Sequence, residues 1–301
     1  MTVSIKTPTA TTVTPFTAVE PFPFLIWQQF LSRAECDQLV HEAESNLAGS
    51  QRRTVMGGRA LVPNTSVTFQ ELINRSPAWA QLVTTLSSPE FLEQLGVHLK
   101  LESRYVLRPV FTSVGGRLNN MIQRMRSTTQ QTQLANATPS QLLSLAALRL
   151  TFLVRRYLSS IVTRLSGRVA YELLYDYSLA RQGYVREIHR DSDARDIVFL
   201  LYLNSTPQED GGSLQLHRLR DGVSPLPRPN PDDCSLITSI APEIGTLVAF
   251  RNTSRSYHSV ELVTGDSTQR HFIYGAVTRL LGRNRSLRGQ SRLGTDWRVF
   301  T

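Results

Sequence analysis

Lysine is almost absent from this chain. Of its 33 basic residues only Lys6 and Lys100 are lysines and the rest are arginines, set against 24 acidic residues for a net charge of +9. An arginine excess suits phosphate or nucleic-acid contact, but it follows equally from the codon usage of a GC-rich genome spread over solvated faces, so the charge alone selects no partner. Cysteine is scarce as well: Cys36 and Cys234 stand far apart with no metal-binding spacing, which excludes a disulfide framework and favours a reducing, cytoplasmic setting. The threonine-rich first 19 residues have neither a positive start nor an apolar stretch, so no secretory signal is expected there. The most apolar segment is interrupted by Arg149 and the Arg155-Arg156 pair, which argues against a membrane span. What remains is 301 residues, 41% of them hydrophobic, enough for the buried core of a globular protein.

The chemistry gathers at Gly183–Asp191, Gly-Tyr-Val-Arg-Glu-Ile-His-Arg-Asp, which reads as a strand ending in two hard-metal ligands. His189 and Asp191 are two apart, and strand side chains alternate faces with period two, so the imidazole and the carboxylate point the same way. A third ligand follows 69 residues later at His258. Two neutral imidazoles and one carboxylate on one face of an octahedron leave three positions open, the ligand set of non-haem Fe(II) oxygenases.

These pieces fall in a particular order. After His189 and Asp191 come a strand at Ile197–Asn204, a Gly211-Gly212 turn, a strand at Gly245–Phe250, then His258, with Arg270 twelve residues on. The order resembles that of the Fe(II)/2-oxoglutarate-dependent oxygenases, in particular the prolyl 4-hydroxylase-like branch, from about Leu173 to Thr278 with a weaker echo in Pro21–Ala43. The resemblance implies Fe(II) on His189, Asp191 and His258, 2-oxoglutarate and O2 as cosubstrates, and ascorbate as a reductant. It assigns Arg270, at the start of the final strand, to the remote carboxylate of 2-oxoglutarate, where a guanidinium fork matches two oxygens and keeps its charge when buried. Members of the family also use a tyrosine on the strand before the metal motif, so Tyr177 and Tyr175 are the expected cosubstrate contacts. Arg186, Tyr202, Asn252 and Arg255 are secondary candidates for the pocket lining. His217 and His271 are expected to be structural, His271 because its neighbour Arg270 takes the other face of the strand. Asp191 argues against halogenation, since related halogenases carry a small residue there to make room for chloride.

The expected fold is α+β and mainly β: a double-stranded β-helix, or jelly roll, with supporting helices and a helical insertion. Residues 1–19 read as a disordered leader, 20–279 as one oxygenase domain and 280–301 as a basic tail. Within the domain, 30–112 is helical support, 113–168 the insertion and 170–279 the jelly-roll core. Glu20–Trp27 suggests an edge strand. Ser32 to Glu35 is a capping box opening a helix whose apolar positions are Cys36, Leu39, Val40 and Ala43. Gly49–Asn64 is expected to be a loop, Ser76-Pro77 and Ser88-Pro89 to start two short helices, and Leu101–Phe111 to be a strand. Seven core strands are expected at Glu172–Ser178, Gly183–His189, Ile197–Leu203, Ser213–His217, Gly245–Phe250, Tyr257–Val263 and Arg270–Val277, with a long loop at Arg218–Ser239. Residues 113–168 suit a lid, a homodimer contact, a basic membrane-surface helix or a long support helix.

Three functions stand against one another. The first is a dioxygenase hydroxylating an amino acid, a peptidyl residue or a natural-product intermediate. The second, an oxidative nucleic-acid demethylase, draws on the positive charge, but that branch carries a second arginine six residues after the first and here the position is Ala276, so a nucleic-acid partner is not expected. The third is a jelly-roll binding module without catalysis, which has no need of His189, Asp191, His258 and Arg270 together.

Overall fold

The computed structural model describes residues 14–47, 53–55, 58–101 and 171–279. The expected strand at Leu101–Phe111 beyond its first residue, the 113–168 insertion and the 280–301 tail lie outside the described residues.

Alternating apolar side chains build two facing antiparallel sheets. The larger has eight strands among the described residues: β1 (Phe16–Ala18), β2 (Phe24–Trp27), β3 (Arg53–Val55), β4 (Arg59–Pro63), β5 (Tyr171–Ala180), β7 (Arg195–Tyr202), β10 (Leu247–Arg251) and β12 (Arg270–Arg279), ordered β1-β2-β10-β7-β12-β5-β4-β3. That smaller sheet orders β6 (Arg186–His189), β11 (Tyr257–Val260), β8 (Leu214–Leu219) and β9 (Cys234–Ile240). The mainly β jelly-roll expectation therefore holds.

Four helices, α1 (Arg33–Leu47), α2 (Val67–Arg75), α3 (Pro77–Leu86) and α4 (Pro89–His98), cover one face of the larger sheet. Their starts follow from local chemistry. The Ser32 backbone N–H donates to Glu35 Oε2 at 2.7 Å and the Glu35 N–H returns to Ser32 Oγ at 3.3 Å, the reciprocal pair that caps α1. Ser76 and Ser88 cap α3 and α4 with proline at the first turn.

Because the central strands are covered on both sides, each carries two apolar stripes. On β7, Ile197, Phe199 and Leu201 meet the helical layer, while Val198, Leu200 and Tyr202 face the smaller sheet. Each such fully buried side chain contributes about 1.5–3 kcal/mol relative to exposure. Gly275 on β12 answers Phe199: a Cβ there would stand 2.1 Å from the ring.

Several expectations are corrected. The leader is not wholly unstructured, since Phe16–Ala18 pairs with Phe24–Trp27; that pairing also moves the Glu20–Trp27 strand inside the sheet, because β2 bonds β10 on its other side. The Gly49–Asn64 loop contains the β3–β4 hairpin, whose second strand extends the larger sheet by pairing with β5. The Arg218–Ser239 loop ends early, at β9, because its last residues find backbone partners along β8. α2 has no counterpart among the expected elements: Val67 and Thr68 are β-branched and poor helix formers, and what starts the helix is the Ser66 Oγ accepting from the Phe69 N–H at 3.1 Å.

Candidate metal and cosubstrate site

The smaller sheet supplies the two histidines. His189 pairs directly with His258 across β6 and β11, so both side chains stand on one face, with ring centroids 4.3 Å apart. Asp191 follows β6 where the chain turns toward β7. Ligand atoms of His189, Asp191 and His258 all lie within 4.8 Å of one another, and no other such group of three occurs among the described residues.

Each imidazole is aimed by its own strand. His189 Nδ1 meets the Glu187 carbonyl at 2.8 Å and His258 Nδ1 meets that of Ser256 at 3.2 Å. An Nδ1–H donated to a carbonyl fixes the tautomer and leaves the Nε2 lone pair free for a metal. His258 Nε2 lies 3.5 Å from Asp191 Oδ2. Burial pushes His258 below the usual imidazole range, and burial followed by the neighbouring His258 brings His189 down to about 3, so both rings are neutral at ordinary pH.

Asp191 is held from the opposite sheet. Arg195 Nη1 donates to Asp191 Oδ1 at 2.5 Å and the Tyr274 hydroxyl donates to Oδ2 at 3.0 Å, while Arg195 and Tyr274 also bond each other. Burial alone would raise this carboxyl; the Arg195 guanidinium and then the two histidines outweigh it and hold it near about 2. The segment carrying Asp191 is fastened further by Asn252, whose Nδ2 donates to the Ser192 and Arg195 carbonyls, both at 2.9 Å.

Arg270 is wholly buried on the inward face of β12, between Tyr202, whose hydroxyl is 3.4 Å from Nη2, and the Phe272 ring at 4.5 Å. Its Nε and Nη1 have no hydrogen-bond partner among the described residues. A buried guanidinium with two idle donors fits a carboxylate that arrives with a ligand. Space is kept for that ligand by Gly212, where a Cβ would meet Val263 at 3.3 Å and the Arg270 side chain at 3.5 Å. The donor set at the triad and the idle fork at Arg270 thus fit Fe(II) and 2-oxoglutarate respectively.

Tyr175 and Tyr177 do not line this space. Their partners across β12 are Gly275 and Ile273, which puts both on the face turned to the helices. Tyr175 packs on Phe69, and Tyr177 packs on Trp79 with its hydroxyl 2.7 Å from His271 Nδ1. The tyrosine beside Arg270 is Tyr202, which pairs with Phe272. Arg195 and Tyr274 were not among the sequence candidates; counting by twos from Arg270 reaches Tyr274 and would have exposed it. Arg255 donates to the Leu219 and Arg220 carbonyls, and His217 bonds Ser259 Oγ at 2.8 Å.

Residues 174–277 match the sequence model of the 2OG-Fe(II) oxygenase superfamily. A comparison with curated proteins finds no match. Among solved structures, a prolyl-4-hydroxylase from Pseudomonas putida is 17% identical with a TM-score of 0.38, over 85% of this chain and 92% of that one. A viral collagen prolyl hydroxylase from Paramecium Bursaria Chlorella virus-1 is 12% identical with a TM-score of 0.41, over 86% and 96%. A 2OG-Fe(II) oxygenase family oxidoreductase from Burkholderia pseudomallei is 10% identical with a TM-score of 0.42, over 85% and 84%. The matched segment contains the three metal-ligand candidates and the buried arginine with its idle donors, so it is residues 174–277 that carry the likeness to the 2OG-Fe(II) oxygenase superfamily.

Proposed function

We propose that the protein is a hydroxylase acting on an unactivated C–H bond of an amino acid, a peptidyl residue or a natural-product intermediate. The observation that carries this reading is the pairing of a complete His189, Asp191 and His258 set with an arginine, Arg270, whose buried donors await a carboxylate. Fe(II), when bound, supplies the oxidising chemistry by which O2 places one atom in succinate, as 2-oxoglutarate loses CO2, and the other in the substrate. His189 and His258, each with Nε2 left free, and Asp191 would hold the metal, while Arg195 and Tyr274 keep Asp191 ionised and oriented. Arg270 grips the end of 2-oxoglutarate remote from the metal, with Tyr202 beside it. The surrounding Phe250, Leu200, Leu216 and Phe272 side chains are buried and exclude water from the reacting centre.

No helix among the described residues is long and apolar enough to cross a membrane. Both cysteines are free, Cys36 buried and Cys234 half-buried, which supports the cytoplasmic reading. Succinate release over a panel of amino acids, peptides and small metabolites, with mass spectrometry for a gain of one oxygen, tests the proposal. Succinate without any oxygenated product across the panel would leave only uncoupled turnover, and no succinate at all would remove the enzymatic reading.

A further inference from the structure

Among the described residues four arginines point into the space between the sheets, and three of them are accounted for. Arg59 bonds Asp176 Oδ1 at 2.5 Å and Ser178 Oγ at 2.8 Å; Arg195 bonds Asp191; Arg270 serves the cosubstrate. The fourth is Arg186. It pairs across the sheet with Val260, a residue of the inner apolar cluster, so it shares the inward face with His189 and His258. It is half-buried on β6, the edge strand of the smaller sheet, and it enters none of the ion pairs among the described residues. Among the described residues its side chain makes one hydrogen bond, from Nε to His189 Nε2 at 3.5 Å. That is the lone pair a metal takes, so the guanidinium must turn away from it in the loaded protein.

The charge balance says what it turns toward. A divalent ion, the Asp191 carboxylate, the Arg195 and Arg270 guanidiniums and a doubly negative 2-oxoglutarate together leave a net positive charge in a space shielded from solvent. Arg186 adds another at its mouth. An unpaired cation beside a bound dication is costly in low dielectric, and a planar fork beside the metal is matched by an oxyanion. We propose that Arg186 is the substrate's anion receptor, so that the molecule oxidised carries a carboxylate or a phosphate within reach of the metal. This rests on the hydroxylase reading and narrows it to acidic substrates.

The test uses the full chain loaded with Zn(II) and 2-oxoglutarate, which binds without turning over. It is titrated by calorimetry with acetate, N-acetylglycine, glycerol 3-phosphate and methyl phosphate, and with the uncharged acetamide, N-acetylglycinamide and glycerol. At least one anion should bind where its neutral counterpart does not, and whether carboxylates or phosphates succeed names the group. Arg186→Gln should weaken that anion about tenfold or more, Arg186→Lys should keep part of the affinity, and the 2-oxoglutarate dissociation constant should stay within about twofold in both. Circular dichroism and zinc stoichiometry report that the variants are folded and loaded. Binding of no anion, equal binding of neutral partners, or a loss of 2-oxoglutarate affinity in Arg186→Gln would each overturn the proposal, the last by showing that Arg186 reads the cosubstrate. Succinate release by the Fe(II) protein without any added substrate tests the oxygenase reading separately, since anion binding to the zinc form does not depend on turnover.

Discussion

At the scale of single residues, the site separates into groups that touch the metal, the cosubstrate or each other, and each group has its own test. Arg270→Ala should keep metal and lose 2-oxoglutarate. Stranding one charge of a buried, forked ion pair costs about 2–5 kcal/mol, which raises the dissociation constant by roughly 30-fold to several thousand-fold. Arg270→Lys should fall between, since the charge survives without the fork. Tyr274→Phe removes a hydrogen bond from Asp191 and should weaken metal binding by about 10-fold to 100-fold, the usual effect of losing a group that orients a ligand, read by competition with a chelator. The histidines set the pH response of the metal-free protein. Their folded values lie below the unfolded one, so between about pH 6.5 and the folded values the unfolded chain binds more protons, and stability falls on acidification. The melting temperature of metal-free protein should therefore drop from pH 7 to pH 5, and His189→Gln should flatten that slope.

At the scale of elements, the strand faces decide which side chains matter. Tyr202→Phe alters the neighbour of Arg270 and should raise the 2-oxoglutarate dissociation constant, whereas Tyr177→Phe breaks a contact with His271 on the far face and should change stability alone. If Tyr177→Phe weakened cosubstrate binding while Tyr202→Phe did not, the face assignment of β5 would be wrong. The contrast also shows what could be read before the structure. His189 and Asp191 stood out because a metal motif is written in residue types and a short spacing, whereas His258, 69 residues on, and Arg270 were picked out by the order of the elements and the resemblance it carries. The tyrosines were misplaced because β5 is covered on both faces: Leu173, Tyr175, Tyr177 and Leu179 form one apolar or aromatic row, and nothing in that row says whether it meets helices or the other sheet. Pairing with Ile273 settles the phase, and pairing is not a local property. β9 and the β3–β4 hairpin were missed for the same reason, since toward the sheet edges they owe their form to the neighbours they bond. α1, α3 and α4 were foreseen because a capping box opens the first and serine–proline starts open the other two, signals that act within one turn. Tight packing on the helical face gives a further check: Gly275→Ala drives a methyl into the Phe199 ring and should cost about 1–3 kcal/mol or more in denaturant unfolding.

At the scale of the whole molecule, the two histidines belong to one sheet and Arg270, Tyr202 and Tyr274 to the other, with Asp191 gripped from both. Zn(II) and 2-oxoglutarate should consequently stabilise the sandwich as a unit, and their joint rise in melting temperature should exceed either alone; ligand at a hundred times its dissociation constant is worth about 2.7 kcal/mol. The chain passes between the sheets at 190–194 and again at 252–256, and Asn252 ties the second passage to the first through the Ser192 and Arg195 carbonyls. Asp191 lies in one passage and the other leads directly into His258, so this amide helps fix the spacing between two ligands that are distant in sequence. Metal capture then requires no search among loop conformations. In stopped-flow mixing it should appear as a single second-order step whose observed rate climbs linearly with metal concentration, and Asn252→Ala should introduce a plateau, the signature of a loop that must find its place before the ion can stay.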